Sequence, residues 1–123
     1  PSLPTFFFIS NKRINQMAIE FNDVYISIVP EANLCSSEEI YRFVNESEEA
    51  ASIRMPIVIL DLKNTKEINS AGIAKILKLY KNLQSLKIKL YMMNLNPDVE
   101  PILKNLLLTY LITKIEKVED LDL

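Results

Sequence analysis

Four consecutive apolar residues, Ile57-Val58-Ile59-Leu60, stand between Pro56 and Asp61. A strand with one wet face alternates apolar and polar side chains, and an unbroken run leaves no face for water. Three of these residues are β-branched, which favours extended backbone. The run is too short for a helix and far too short to cross a bilayer. It therefore reads as a central strand of a sheet buried on both faces, and a parallel sheet buries its strands in this way.

The flanking segments agree. Residues 16–21 and 24–29 read as strands, with Val24, Ile26 and Ile28 on one face, and Asn22-Asp23 between them signals a tight turn. After a loop over 30–34, Ser36 with Glu39 three positions on matches a capping box, so a helix opens at Ser36 or Ser37. Its apolar stripe is Ile40, Phe43 and Val44, with Glu46, Glu48 and Glu49 expected on the solvated face, and it ends before Pro56. Residues 70–85 carry Ile73, Ile76, Leu77, Tyr80 and Leu83 at helical spacing. Residues 88–93 read as a strand, 97–108 as a helix opened by Pro97 and Asp98, 111–115 as a last short strand and 119–123 as a helical tail. Strands alternating with helices predict an α/β fold: a mixed, mostly parallel sheet of four to five strands with helices packed on it. Residues 16–123 form the domain, and residues 1–15 read as an extended arm. Loops near 30–36, 63–69 and 94–97 should converge at the carboxyl ends of the parallel strands.

Composition narrows the chemistry. The 123 residues contain no histidine, one cysteine and one glycine, Gly72. Imidazole catalysis, multi-cysteine metal sites and glycine-rich phosphate loops are thereby excluded, and no catalytic residue, metal ligand set or cofactor is expected. A formal net charge of −2 gives no reason to expect nucleic-acid binding. The apolar cluster Phe6-Phe7-Phe8-Ile9 is too short to insert in a membrane and lacks the flanks of a signal peptide, so a cytoplasmic protein is expected. Cys35 has no histidine partner and reads as a small, partly buried side chain. Asp61 at the strand end reads as a structural acceptor for the loop that follows, and Met92 and Met93 read as core. Lys75, Lys78 and Lys81 read as a solvated helix face, with docking of an acidic partner as the alternative.

The informative segment is Ile68-Asn69-Ser70-Ala71-Gly72-Ile73, which follows Asp61-Leu62 after a short polar stretch and opens the strongest amphipathic helix. With Met93-Asn94-Leu95-Asn96-Pro97-Asp98-Val99, it resembles the STAS family, the domain of anti-sigma-factor antagonists. In that family a strand ends in Asp-Leu, and a short loop leads to Asp-Ser-(Ser/Thr/Ala)-Gly-Leu at a helix start. The resemblance spans about residues 16–121. It implies a STAS-like fold and a regulatory protein-binding module, not an enzyme. It also implies that Ser70 is a phospho-acceptor, with Asn33, Asn69, Ser70, Ala71, Gly72 and Ile73 at the partner contact. The implied partners are an anti-sigma factor that is a serine kinase and a serine phosphatase; a homodimer is left open. The alternative is an unphosphorylated structural STAS subunit of a signalling scaffold or transporter-associated complex. Two positions depart from the family: Asn69 stands where Asp is usual before the serine, and Pro30-Glu31-Ala32-Asn33 stands for Gly-Glu-Leu-Asp. Both changes make the pocket less negative. From the residues alone, Ser70 also fits a plain helix cap, and Gly72 signals crowding either by a partner or by a neighbouring strand.

Overall fold

The structure is a computed structural model that describes residues 12–13, 19–21 and 24–121. The elements run β1 (Lys12–Arg13), β2 (Ile19–Phe21), β3 (Tyr25–Ile28), α1 (Ser37–Ile53), β4 (Ile57–Asp61), α2 (Ser70–Ser85), β5 (Lys89–Met93), α3 (Glu100–Asn105), α4 (Leu108–Leu111) and β6 (Thr113–Ile115). A short 3₁₀ turn covers Val118–Asp120. The six strands lie in one sheet in chain order. The pairs from β1 to β3 are antiparallel, and those from β3 to β6 are parallel. The sheet is thus the mixed, mostly parallel one expected, with one strand more than anticipated because Lys12–Arg13 add to its antiparallel edge. The expected turn at Asn22-Asp23, the beginning of the strand over 16–21, most of the arm and the last residues of the tail lie outside the described residues.

Burial explains the order. All five residues of β4 are buried. Val58 and Leu60 join the core beneath the helices with Ile26, Ile28, Phe43, Ile76 and Leu83. Ile57 and Ile59 point the other way, into a second cluster with Tyr91, Met93, Ile115 and Leu121. The strand period of two therefore divides the apolar run between two cores. Met92 and Met93 are buried, one in each cluster.

Local chemistry sets the helix limits. The capping box forms as read: Ser36 Oγ accepts from Glu39 N–H at 3.1 Å, and Glu39 Oε1 accepts from Ser36 N–H at 2.9 Å. The Ser36 N–H bond holds the Glu39 carboxyl below its usual range, with the Cys35 N–H and the Ser36 hydroxyl adding to it. Arg54 ends α1 in the left-handed region, ahead of Pro56. One expectation for α1 fails. Glu46 is buried, not solvated, because it lies three residues after Phe43 and four before Ala50 and so falls on the edge of their stripe.

The C-terminal third also differs from expectation. Residues 97–99 form turns on Asn96, whose carbonyl accepts from Val99 and Glu100 N–H, so α3 starts at Glu100 with Pro101 in its first turn. The expected single helix is broken at Leu107, whose φ is 65°. Leu111 belongs to α4 instead of the last strand.

Candidate functional site

Three loops leave the carboxyl ends of β3, β4 and β5 and are stitched together. Asn33 Oδ1 accepts from the N–H groups of Lys66 and Glu67 at 2.9 and 3.0 Å. The Thr65 hydroxyl, fully buried, donates to Ala32 O at 2.9 Å. Leu34 and Ile68 form a parallel bridge, with Leu34 N–H donating to Glu67 O and Asn69 N–H donating to Leu34 O. Asp61 joins the third loop: its Oδ1 accepts from Lys63 N–H and from Asn94 Nδ2, each at 3.0 Å. Asn94 adopts φ 58°, a conformation that asparagine tolerates better than most residues. The structural reading of Asp61 is therefore correct.

The start of α2 stands on this frame. Asn69 is the N-cap: its Oδ1 accepts from Gly72 N–H at 3.0 Å, and its Nδ2 donates to Cys35 O at 2.9 Å. Ser70 is the first helical residue and is exposed. The capping role considered for Ser70 thus belongs to Asn69, and the Ser70 hydroxyl has no hydrogen-bond partner among the described residues. Around it lie the first-turn N–H groups and the positive end of the α2 dipole, which favour negative charge.

The six residues expected at a partner contact separate into two layers. Asn69, Ser70 and Ala71 are exposed, and Asn33 is half-buried at the loop junction. Gly72 and Ile73 are buried beneath them. The crowding at Gly72 comes from this chain: a Cβ there would lie 2.4 Å from Leu34 O, 2.9 Å from Leu34 Cβ and 3.0 Å from Ile68 Cγ1. Glycine is what lets α2 lie directly on the loop after β3. Ile73 is part of the core under α1 and α2.

Sequence reasoning passed over Thr65 and Leu34. Both sit in short irregular segments, where no hydrophobic period marks a buried position. Their partners come from loops distant in the chain, so only the closed fold reveals them. The Cys35 thiol is half-buried at the same junction, and burial, then the Glu67 and Glu39 carboxylates, push its pKa up. It stays protonated at neutral pH and is a poor nucleophile. Among the described residues, no group of three or more His, Cys, Asp or Glu side chains is placed to hold a metal ion. No helix among them is long and apolar enough to cross a membrane.

Comparison with known proteins settles the family. The family model of the STAS domain matches residues 15–121. The chain belongs to the STAS-domain family. Two solved structures, both of TM1081, share the fold of this STAS domain. The NMR structure is 16% identical with a TM-score of 0.75 and covers 89% of this chain and 87% of its own. The crystal structure, from Thermotoga maritima and described as that of a candidate anti-sigma factor antagonist, is 16% identical with a TM-score of 0.75, covering 86% of this chain and 91% of its own. No curated protein matches this STAS domain.

Proposed function

We propose that this STAS domain is an anti-sigma-factor antagonist whose contact with its partner is switched by phosphorylation of Ser70. The observation that carries the reading is the Ser70 hydroxyl: exposed, first in α2, and free of the capping duty that Asn69 performs. The contact surface is Asn33, Asn69, Ser70 and Ala71, shaped from below by Gly72 and Ile73. The partner is an anti-sigma factor that is also a serine kinase, and a separate serine phosphatase resets the switch in the cytoplasm. The structure of TM1081 supports this reading through the shared fold and its description.

The physical logic is a change of charge at a fixed place. A phosphoserine brings about −1.5 to −2 charge and three acceptor oxygens. The N–H groups of Ser70 and Ala71, which precede the bonds that Asn69 makes to Gly72 and Ile73, can take such an anion without moving the helix. A partner surface shaped for a neutral hydroxyl cannot, because it meets repulsion, bulk and uncompensated desolvation. With Asn33 and Asn69 neutral, no carboxylate of those two side chains opposes the added charge. Intact-mass analysis and site mapping of the protein from its native cells, with its co-purifying partner, test the reading. A phosphate on Ser70 is expected, with the complex kept by Ser70→Ala and lost by Ser70→Asp. Unaltered binding by both variants would show that Ser70 is not the switch.

A second reading, an unphosphorylated assembly subunit, draws support from one observation. Leu106 and Leu107, in the turn between α3 and α4, and Tyr110 and Leu111 of α4 are exposed, with Tyr110 at 82%. Contiguous apolar surface of this kind marks assembly faces. An unmodified Ser70 throughout the native population, with the protein held in a stable larger complex, favours that reading.

A further inference from the structure

The seam between α1 and α2 carries a second feature, which meets the Ser70 contact surface only at Ala71. Two recesses of about 370 and 410 Å³ lie along it and share Val44 and Lys75, so they form one groove. The groove opens beside Ala71 and Cys35 and runs down α2 to Asn82. That stretch of α2 is about 16 Å long at the helical rise, or about three turns. Val44, half-buried, is its main apolar wall, Ile40 and Leu79 showing only their edges because they belong to the core, and Tyr41, 68% exposed, stands at its rim. Lys75, Lys78 and Lys81 line it from α2, against a single acidic lining residue, Glu48. None of the three lysines makes an ion pair among the described residues. The local charge therefore opposes the net charge of −2 on the chain.

We propose that this groove docks an acidic amphipathic helix of a partner protein. Two requirements meet in that occupant. The apolar lining calls for a stripe of apolar side chains, which a nucleic acid would not supply. The three unpaired ammonium groups call for carboxylates at helical spacing, which a neutral or basic helix would not supply. Lysines at i, i+3 and i+6 follow one side of α2 and can reach carboxylates on successive turns of a helix laid in the groove. Their alkyl stems add to the apolar contact while their heads stay wet. The proposal goes beyond the Ser70 reading and does not depend on it.

The test is an amide chemical-shift titration of the whole domain with a conformationally constrained acidic helix of about three turns. The peptide carries leucines on one stripe and glutamates beside it. Its controls are the same helix with every glutamate changed to lysine and a scrambled peptide. Saturable shifts centred on Val44, Lys75 and Leu79 are expected for the acidic helix, weakening as salt rises. The K75E/K78E/K81E variant should bind at least about tenfold more weakly. The milder K75Q/K78Q/K81Q variant should lose affinity in the same direction, which keeps the test valid if charge reversal disturbs folding. Lys104→Gln, an exposed α3 lysine outside the groove, should bind the peptide as the unaltered domain does, and because the titration uses unphosphorylated protein its result stands or falls apart from the phosphorylation switch. No saturable shift, equal shifts with the lysine control, or shifts mapping away from the seam would overturn the proposal. So would a dimer of the unaltered domain that the glutamine variant dissociates, because the groove would then be filled by a second copy.

Discussion

Asn69 does two jobs that an aspartate could not both do. Its Oδ1 caps α2 through Gly72 N–H, while its Nδ2 donates to the Cys35 carbonyl. A carboxylate would keep the cap and turn its second oxygen toward another oxygen. The departure from the family's usual residue thus has a local reason in the loop it must hold. Gly72 is the companion case. That the only glycine marks a steric demand was legible in the chain, but its neighbour was not, because Leu34 arrives from the preceding loop. Gly72→Ala should gain up to about 1 kcal/mol of helix propensity. It should lose more than that, because its methyl would meet the Leu34 carbonyl at 2.4 Å and that carbonyl is bonded to Asn69 N–H. Overpacking of this kind costs about 1–3 kcal/mol, so a net loss of up to about 2 kcal/mol is expected in urea unfolding. Unchanged or raised stability would mean that the loop after β3 yields freely and does not position Ser70.

At the scale of elements, legibility followed the strength of the local signal. The capping box and unbroken apolar stripes made α1 and α2 readable nearly to the residue. The break inside 97–115 had no such punctuation, since Asn105-Leu106-Leu107-Leu108 contains neither glycine nor proline. Its break has a packing cause. Leu103 and Leu108 are both buried, yet residues five apart do not share a face of one α-helix. The left-handed Leu107 turns the chain so that Leu108, and then Ile112, reach the core. Leucine is poorly suited to that conformation, which costs an L-residue about 1–2 kcal/mol. The Leu107 side chain is 59% exposed, so replacing it forfeits little burial. Leu107→Gly should therefore stabilise the protein by about 0.5–1 kcal/mol, after subtracting the chain entropy that glycine must lose. A shift of the urea midpoint to higher concentration is the readout. A shift to lower concentration would show that the exposed leucine contributes contacts outweighing its backbone strain.

For the molecule as a whole, the helix-joined parallel strands and the inner place of the buried run at 57–60 were legible in the sequence, whereas the spatial order of all six strands was not, because right-handed crossovers permit several orders. Which parts hold and which give is a further consequence. β4 is bonded to β3 on one side and to β5 on the other, and all its side chains are buried. β6 is bonded to β5 alone among the described strands and exposes Thr113 and Lys114. The amides of β4 should then exchange with solvent only through global unfolding, with the full denaturant dependence of the equilibrium transition. Those of β6 and α4 should open first, at lower free energy. The N–H groups of Ser70 and Ala71, which precede the first helical bonds of α2, should exchange faster than Gly72 and Ile73, whose N–H groups are held by Asn69. Native-state hydrogen exchange reads all three classes in one experiment. Equal protection of β4 and β6 would mean that the sheet opens as one unit. The expected gradient instead leaves a shut sheet beneath the start of α2, where a phosphate or a partner can bind without loosening what carries it.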